Sequence, residues 1–356
     1  MKKRIFTQTY AILCALILLA GIITVFFFAW SAGITETVAA LLGIFLSFII
    51  APTYHELGHC GFASAMKMEL MYTKFFCFKL QRKQGKLRFG FASPFAADQT
   101  QVVPKSGENM LRRARLYTVG GLVLSGILFV LLLAASILLF CLKVHSYCIY
   151  AMLPYAAYLF LLNVLPCEYA SGKTDALVYR GLKRGYPVER VMLSAMEIQG
   201  RLYAGESYAE IEEKLYTELP QLCEDEPLFA VMQDLRYRYY LELGDMEKAA
   251  DALNRLAQAQ VYLSDYETER IAAELVYMHS VLGNLTQAEE SGRICRDFLQ
   301  SDDVAAKRIL AAYSKASGKI EAVEPLLAQA EAAIQKERFV GIRKAEKILL
   351  SRIAAE

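Results

Sequence analysis

Three residues have the types and the spacing of a metal site on one predicted helix. His55 and His59 are four positions apart, with Glu56 directly after the first, and residues four apart share one face of a helix. Two imidazoles placed in this way can hold one Zn²⁺, and the neighbouring carboxylate can reach a water on the ion. The alternative is a pair of histidines bonded to neighbouring groups, but burying these side chains in an apolar segment without an ion is costly. The pattern predicts a zinc site with Glu56 as the general base.

This motif lies within one of four apolar segments of membrane-spanning length. Of the 356 residues, 55% are apolar, and these concentrate in the first half of the chain. About 20 apolar residues in a helix cross a hydrocarbon core of about 30 Å. We expect four spans, at approximately 9–30, 34–66, 116–142 and 147–166. The first follows a basic N-terminus, as a signal peptide does, but it has no clear small-residue cleavage site and is interpreted as an uncleaved span.

The distribution of basic residues predicts the orientation of these spans. The loop from Lys67 to Arg115 is rich in Lys and Arg, whereas the loops at 31–35 and 143–146 are nearly free of them. Because basic loops stay on the cytoplasmic side, we expect a multi-pass integral membrane protein with both termini in the cytoplasm. His55 then lies about 28 Å along the second span from Glu36, near the cytoplasmic boundary of the hydrocarbon core.

A catalytic zinc needs a third protein ligand and keeps its fourth position for water. On the expected cytoplasmic side, the fourth span ends in Asn163-Val164-Leu165-Pro166, and Asp175 follows. The acidic residues Glu168 and Glu69 are further candidates on that side. The eight cysteines include no C-x-x-C pair and are expected to be reduced and packed, although a thiolate ligand from Cys60 or Cys167 stays open.

Two motifs together resemble a known family. A His-Glu-x-x-His motif inside an apolar span, followed far downstream by Asn-x-x-Pro and then an Asp, resembles the site-2 proteases (peptidase M50), which are intramembrane zinc metalloproteases. The Gly120-Gly121 pair and Ser125 are also similar to the small-residue patch of that family's core. The resemblance covers residues 34–180.

The resemblance implies a role for each matching residue. His55, His59 and Asp175 bind Zn²⁺, Glu56 activates the water, and Asn163 helps to hold the substrate or the oxyanion. The sequence departs from the family pattern after the proline, because residues 167–174 separate Pro166 from the Asp and because Ala, rather than Gly, follows it. Glu168 therefore stays open as the third ligand, as does Glu69.

The loop after the zinc motif has the alternation of a β-hairpin. Residues 76–81 and 86–91 alternate apolar and polar side chains on either side of Gln84-Gly85, which predicts a hairpin within 72–92 that has one aromatic and one basic face. In the resembling family such strands pair with the extended substrate. The alternative is that the hairpin anchors the loop to anionic lipid.

From residue 178 onward the sequence is charged and helical in period. Glycines recur at intervals of 39, 39 and 35 residues, at Gly205, Gly244, Gly283 and Gly318. A glycine that ends one helix, with a small residue one turn into the next, resembles the tetratricopeptide repeat. Because the spacing exceeds that repeat's usual length of about 34 residues, we expect divergent helical hairpins stacked as a solenoid.

The predicted architecture is mainly α, with two domains. Residues 1–177 form a four-span membrane domain with a small β-hairpin insertion, and residues 178–356 form a cytoplasmic helical-repeat domain. This second domain offers a surface for a protein partner, or it only stabilises or dimerises the enzyme.

The expected function is hydrolysis of membrane-anchored or membrane-inserted peptides by an intramembrane zinc metalloprotease in a prokaryotic plasma membrane. The alternatives are a catalytically silent membrane scaffold that recruits partners through its repeats, and an unrelated zinc membrane peptidase. The sequence has no glycine-rich phosphate loop and no basic patch interleaved with aromatic residues, so no nucleic-acid partner is expected. The net charge of +2 does not indicate a class of partner.

Overall fold

The computed structural model describes residues 2–83, 86–94, 96, 99–169, 172–259 and 264–355. The chain is mainly helical, with a small antiparallel sheet, and it divides into two compact units. The first unit comprises Met1–Val103 and Asn109–Tyr186, and the second comprises Pro104–Glu108 and Pro187–Glu356. The division falls at Pro187 rather than at residue 178, because the helix that begins at Asp175 packs against a helix of the first unit.

Four helices of the first unit are long and apolar enough to cross a membrane. They are α1 (Lys2–Ala32), α2 (Ile34–Ala65), α3 (Met110–Cys141) and α4 (Tyr147–Val164). The third span therefore starts before residue 116, where the apolar run begins. Large apolar side chains point outward from these helices, and Phe27 and Phe140 are 66% and 75% exposed. Apolar exposure of this extent suits contact with lipid.

Glycines bring α2 and α3 into direct backbone contact. A Cβ atom added at Gly58 would lie 2.2 Å from the carbonyl oxygen of Gly120, and one added at Gly120 would lie 2.5 Å from the carbonyl oxygen of Gly58. Larger residues at either position would force the helices apart. Small residues at such crossings are a general means of packing helices in membranes, where tight contact replaces the hydrophobic driving force.

The segment between α2 and α3 forms a four-stranded sheet, in the order β3-β2-β1-β4. The strands are β1 (Met68–Phe75), β2 (Phe78–Lys83), β3 (Lys86–Phe91) and β4 (Gln99–Pro104). The predicted hairpin corresponds to β2 and β3, which pair antiparallel. Strands β1 and β4 were not predicted from the sequence. The predicted Gln84-Gly85 turn lies outside the described residues.

The β2–β3 hairpin has the predicted aromatic face. Phe78 lies opposite Phe91, and Leu80 lies opposite Phe89. The ring centroids of Phe78, Phe89 and Phe91 are 5.6 to 5.8 Å apart. Phe76 does not belong to this face, because it lies in the β1–β2 turn with a φ of 53°.

A small antiparallel hairpin and a short helix follow α4. The hairpin strands are β5 (Glu168–Tyr169) and β6 (Gly172–Lys173), and the helix is α5 (Asp175–Arg184). Arg115 on α3 donates from Nη2 to the carbonyl oxygen of Leu182, at 3.1 Å, so α5 is fixed to the membrane helices.

The second unit consists mainly of helices packed around an extensive apolar core. The helices are α6 (Pro187–Ala204), α7 (Lys214–Thr217), α8 (Pro227–Leu243), α9 (Met246–Gln258), α10 (Asp265–Val281), α11 (Leu285–Ile294), α12 (Arg296–Gln300), α13 (Val304–Ala316), α14 (Val323–Ile334) and α15 (Val340–Ala355). Consecutive helices pack in pairs, α8 with α9, α10 with α11, and α13 with α14.

The four recurring glycines lie at the ends of helices in this unit. Gly205, Gly244, Gly283 and Gly318 all have positive φ, between 78° and 119°, a backbone region that side chains disfavour. Ala249 and Ala288, one turn into the following helices, are fully buried. These features agree with the expected helical hairpins. The assignment to a repeat family and the solenoid arrangement remain predictions.

A buried ion cluster crosses the core of the second unit. Arg308 is completely buried; its Nε donates to Glu346 at 2.8 Å, and its Nη2 donates to both carboxylate oxygens of Glu274 at 2.8 and 2.9 Å. The Tyr237 hydroxyl also donates to Glu274, at 2.8 Å. Burial raises the pKa of the Glu346 carboxyl. Burial acts in the same direction on Glu274, but the attraction of Arg308 and Arg238 outweighs it and lowers that pKa.

We expect Arg308→Met to destabilise the second unit by about 3–5 kcal/mol, because it leaves Glu274 buried without its main partner. Hydrogen exchange of the amides in α10 and α13, measured on the full chain in detergent, checks this. The control is Arg190→Met at an exposed position, which should leave exchange unchanged. Equal exchange in the two variants would show that the cluster does not stabilise the core.

Candidate metal centre

Three ligand atoms from two segments of the chain converge in the first unit. The Nε2 atoms of His55 and His59, one turn apart on α2, are 3.3 Å from each other. Asp175, the first residue of α5, places Oδ2 3.4 Å from His55 Nε2 and 3.5 Å from His59 Nε2. This oxygen is buried and has no hydrogen-bond partner among the described residues.

Hydrogen bonds on the far sides of the two rings orient both imidazoles. His59 Nδ1 lies 2.9 Å from the main-chain oxygen of Tyr117, and since a carbonyl oxygen only accepts, Nδ1 must carry the proton. A neutral His59 therefore presents the lone pair of Nε2. His55 Nδ1 lies 2.9 Å from Ser125 Oγ, a hydroxyl that can accept in the same way. Partners of this kind fix the ring orientation and tautomer of metal-binding histidines.

The facing lone pairs indicate what the group can bind. When both rings are neutral and carry the proton on Nδ1, the two Nε2 atoms and the carboxylate oxygen are all acceptors, and acceptors buried this close together repel one another unless a proton or a cation lies between them. His55, His59 and Asp175 form a group that could hold a metal ion. The structure thus brings together the three ligands that the resemblance implied.

A glycine of α3 leaves the space that the group needs. A Cβ atom added at Gly121 would lie 2.5 Å from His59 Nε2 and 2.9 Å from Asp175 Oδ2. It would therefore fill the region where the three ligand atoms meet. The preceding residue, Gly120, makes the backbone contact with α2. Gly120 therefore allows the close packing of α2 and α3, and Gly121 leaves space beside the ligand atoms.

The described part of the extra segment between Pro166 and Asp175, residues 167–169 and 172–174, contains the paired strands β5 and β6. Cys167 and Thr174 close the β5–β6 hairpin, because Thr174 N donates to the Cys167 oxygen at 3.0 Å and Cys167 N donates to Thr174 Oγ1 at 3.2 Å. Thr174 Oγ1 also donates to Leu165 O at 2.8 Å and caps α5 by accepting from Leu177 N. The insertion therefore returns the chain to the end of α4, and Asp175 starts α5 at the ligand group.

Glu56 is buried beside the ligand group and is held by the sheet. It is 5% exposed, and Thr100 Oγ1 on β4 donates to its Oε2 at 2.5 Å. Thr100 was not among the residues predicted from the sequence. The alternation of Gln99-Thr100-Gln101-Val102 was its signal, but a run this short between loop residues does not predict a strand by itself.

The other candidate ligands lie elsewhere. Glu168 is exposed on β5, and Glu69 on β1 has its Oε1 3.4 Å from Arg82 Nη2. Cys167 is buried at the closure of the β5–β6 hairpin, and Cys60 Sγ lies 3.9 Å from Thr100 Oγ1. Among the described residues, none of these four joins the group of three.

Asn163 lies near the C-terminal end of α4. Its Nδ2 donates to the carbonyl oxygen of Leu159 on the same helix, at 3.1 Å. This bond fixes the amide within its own helix and does not test a role with substrate, which remains a prediction.

The chain matches no protein-family model, and comparison with curated proteins and with solved structures gives no match. The resemblance to site-2 proteases therefore rests on the sequence motifs.

We expect Asp175→Asn to weaken metal retention by about tenfold or more, because the amide is a poorer ligand than the carboxylate. The matched control is Glu168→Gln on the exposed hairpin, which should retain metal like the wild type. Metal content after dialysis, measured by inductively coupled plasma mass spectrometry, distinguishes the two. The reverse result would move the third ligand to Glu168.

Gly121→Ala tests the space at the site. The added methyl group would meet His59 Nε2 and Asp175 Oδ2, so we expect metal content to fall strongly while the helical circular dichroism is kept. Gly61→Ala on α2 is the control, because a Cβ atom there would have no atom within 4 Å. Full metal content in Gly121→Ala would contradict the assigned position of the ion.

Proposed function

We propose that this protein is an intramembrane zinc metalloendopeptidase of the site-2 protease type. The observation that carries the proposal is the convergence of His55, His59 and Asp175, with the Glu56 carboxylate on the same helix as the two histidines. Two imidazoles and one carboxylate, with a glutamate one position after the first histidine, are the set that zinc peptidases use.

The distances between the ligand atoms favour zinc. Zn–N and Zn–O bonds of about 2.0–2.1 Å in a tetrahedron place the ligands about 3.3–3.4 Å apart. The three distances in this structure are 3.3, 3.4 and 3.5 Å. Imidazole nitrogens also argue against Mg²⁺ and Ca²⁺, which take oxygen ligands. Three protein ligands leave a fourth position for water or substrate, as catalytic zinc sites require.

The residues of the site have different roles in the proposed hydrolysis. Zinc held at this site supplies a Lewis acid for the scissile carbonyl and for water. The Glu56 carboxylate accepts a proton from the attacking water and then donates it to the leaving amine. Ser125 and the main-chain oxygen of Tyr117 keep the two imidazoles oriented throughout.

The position of the site along the helices supports a membrane-bound substrate. His55 and His59 are near the C-terminal end of α2, Tyr117 is near the N-terminal end of α3, and Asp175 follows α4. All three places are at one end of the apolar helices. The basic loop that joins α2 to α3 is at the same end, so the positive-inside rule assigns it to the cytoplasmic face.

The sheet offers a way to hold an extended peptide at this site. β4 is an end strand of the sheet, and its Thr100 contacts Glu56. A substrate segment that pairs with the edge of β4 would lie beside the proposed base, and edge pairing is a general mode of peptide recognition. We therefore assign substrate pairing to β4 rather than to the β2–β3 hairpin. The substrate class is a membrane-anchored or membrane-inserted peptide that unwinds near the cytoplasmic face.

Glu56→Gln tests the activity. We expect the purified variant to retain zinc like the wild type and to lose cleavage of a membrane-inserted peptide library in liposomes, because the amide cannot accept the proton of the water. Glu36→Gln at the start of α2 is the control and should cleave at the wild-type rate. Zinc is measured by mass spectrometry and cleavage by the appearance of new peptide termini.

Wild-type protein without bound zinc, or a Glu56→Gln variant that cleaves as well as the wild type, would reject the proposal. Zinc binding without cleavage of any library member would instead favour the silent scaffold.

A further inference from the structure

The hydroxyl group of Thr100 connects the sheet to the proposed base. Thr100 Oγ1 donates to Glu56 Oε2 at 2.5 Å and lies 2.9 Å from Thr73 Oγ1 on β1. Thr73 is 2% exposed. The contact therefore joins two neighbouring strands to the middle of the metal-binding motif on α2.

The direction of these hydrogen bonds follows from proton counting. A threonine hydroxyl has one proton, and Thr100 gives its proton to the carboxylate. The contact with Thr73 can then be satisfied only if Thr73 donates and Thr100 accepts. The result is a directed chain, Thr73 to Thr100 to Glu56, in which each hydroxyl fixes the orientation of the next.

Tyr117 connects the same strand to a metal ligand. Its hydroxyl donates to the main-chain oxygen of Thr100 at 2.7 Å, and its own main-chain oxygen accepts the His59 Nδ1 proton at 2.9 Å. The position of β4 at Thr100 is thus tied to the α3 residue that orients His59. Residues outside α2 therefore hold both Glu56 and His59: Thr100 holds Glu56, and Tyr117, which bonds to Thr100, holds His59.

We propose that Thr100 is the positioning residue for Glu56, and that its hydroxyl, fixed by Thr73 and Tyr117, holds the carboxylate in place beside the reacting water. A glutamate side chain has three rotatable bonds, and a general base must lie within hydrogen-bonding reach of the proton that it takes. A misplacement of about 1 Å can lower the rate by about 100-fold. The hydroxyl removes this freedom before substrate binds. This proposal rests on the proposed peptidase function.

Thr100→Val removes the hydroxyl and keeps the shape of the side chain. We expect kcat to fall by about 10- to 100-fold, with zinc content and KM unchanged, because neither the ligands nor the strand edge is altered. Thr100→Ser restores the hydroxyl without the methyl group and should return kcat to within a few-fold of the wild type. Thr53→Val on α2 is the matched control, since among the described residues that hydroxyl donates within its own helix, to Ile49 O at 2.6 Å.

A second measurement does not depend on activity or on metal. In protein freed of metal with a chelator, the melting temperatures of Thr100→Val, Glu56→Ala and the double variant form a cycle. We expect Thr100→Val to lower Tm when Glu56 is present and to have less than half that effect in the Glu56→Ala background. Additive effects would show that the two side chains do not interact, and would overturn the proposal.

The kinetic outcomes distinguish the positioning role from its alternatives. Wild-type kcat in Thr100→Val, or equal loss in Thr100→Ser, would overturn the role of the hydroxyl while leaving the peptidase function intact. Loss of zinc in Thr100→Val would assign Thr100 to metal binding and would also overturn it. A wild-type protein that binds zinc but shows no cleavage would overturn the proposed function, whereas the melting cycle would still report on the contact.

Discussion

The ligand group depends on the backbone contact between α2 and α3. Gly58 and Gly120 lie so close that a single methyl group at either would overlap a carbonyl oxygen of the other. This approach brings the histidine-bearing face of α2 against the face of α3 that carries Tyr117, Gly121 and Ser125. If the helices were further apart, the imidazole rings would lose their hydrogen bonds to Tyr117 and Ser125. Gly121 would then no longer lie beside the ligand atoms.

The need to satisfy polar groups in apolar surroundings explains most of the remaining contacts. Each imidazole has a partner for Nδ1, and Thr174 satisfies several main-chain groups where the chain returns from the β5–β6 hairpin. Unsatisfied polar groups are expensive in such surroundings. His55 Nε2, His59 Nε2 and Asp175 Oδ2 face each other at 3.3 to 3.5 Å, which is the arrangement expected of metal ligands.

The two units hold their helices together by different means. In the first unit, small residues allow close contact while large apolar side chains remain on the outside. The second unit has an extensive apolar core, crossed by the buried charges of Arg308, Glu274 and Glu346. Such a cluster contributes little net stability compared with an apolar core, but it is intolerant of losing one member. It therefore restricts how α10, α13 and α15 can pack.

The sequence by itself determined the features that depend on local spacing. The turn of α2 with His55, Glu56 and His59 follows from the helical period, the four spans follow from the length of the apolar runs, and the glycines at helix ends follow from their tolerance of positive φ. The hairpin at β2 and β3 was predicted from its alternation. Strands β1 and β4 were not predicted, because these segments become strands by pairing within the sheet and not through a recognisable alternation in their own sequence.

Only the tertiary structure decided which distant groups meet. The resemblance implied Asp175 as the third ligand and left Glu168 and Glu69 open; the closure of the β5–β6 hairpin and the packing of α5 on α3 place Asp175 beside the two histidines. Thr100 was not recognised at all, since nothing in a lone threonine on a short strand indicates contact with a glutamate 44 positions earlier. Contacts of this kind form because the sheet packs against α2. They cannot be predicted from the sequence pattern, because local periodicity carries no information about which distant residues are close in space.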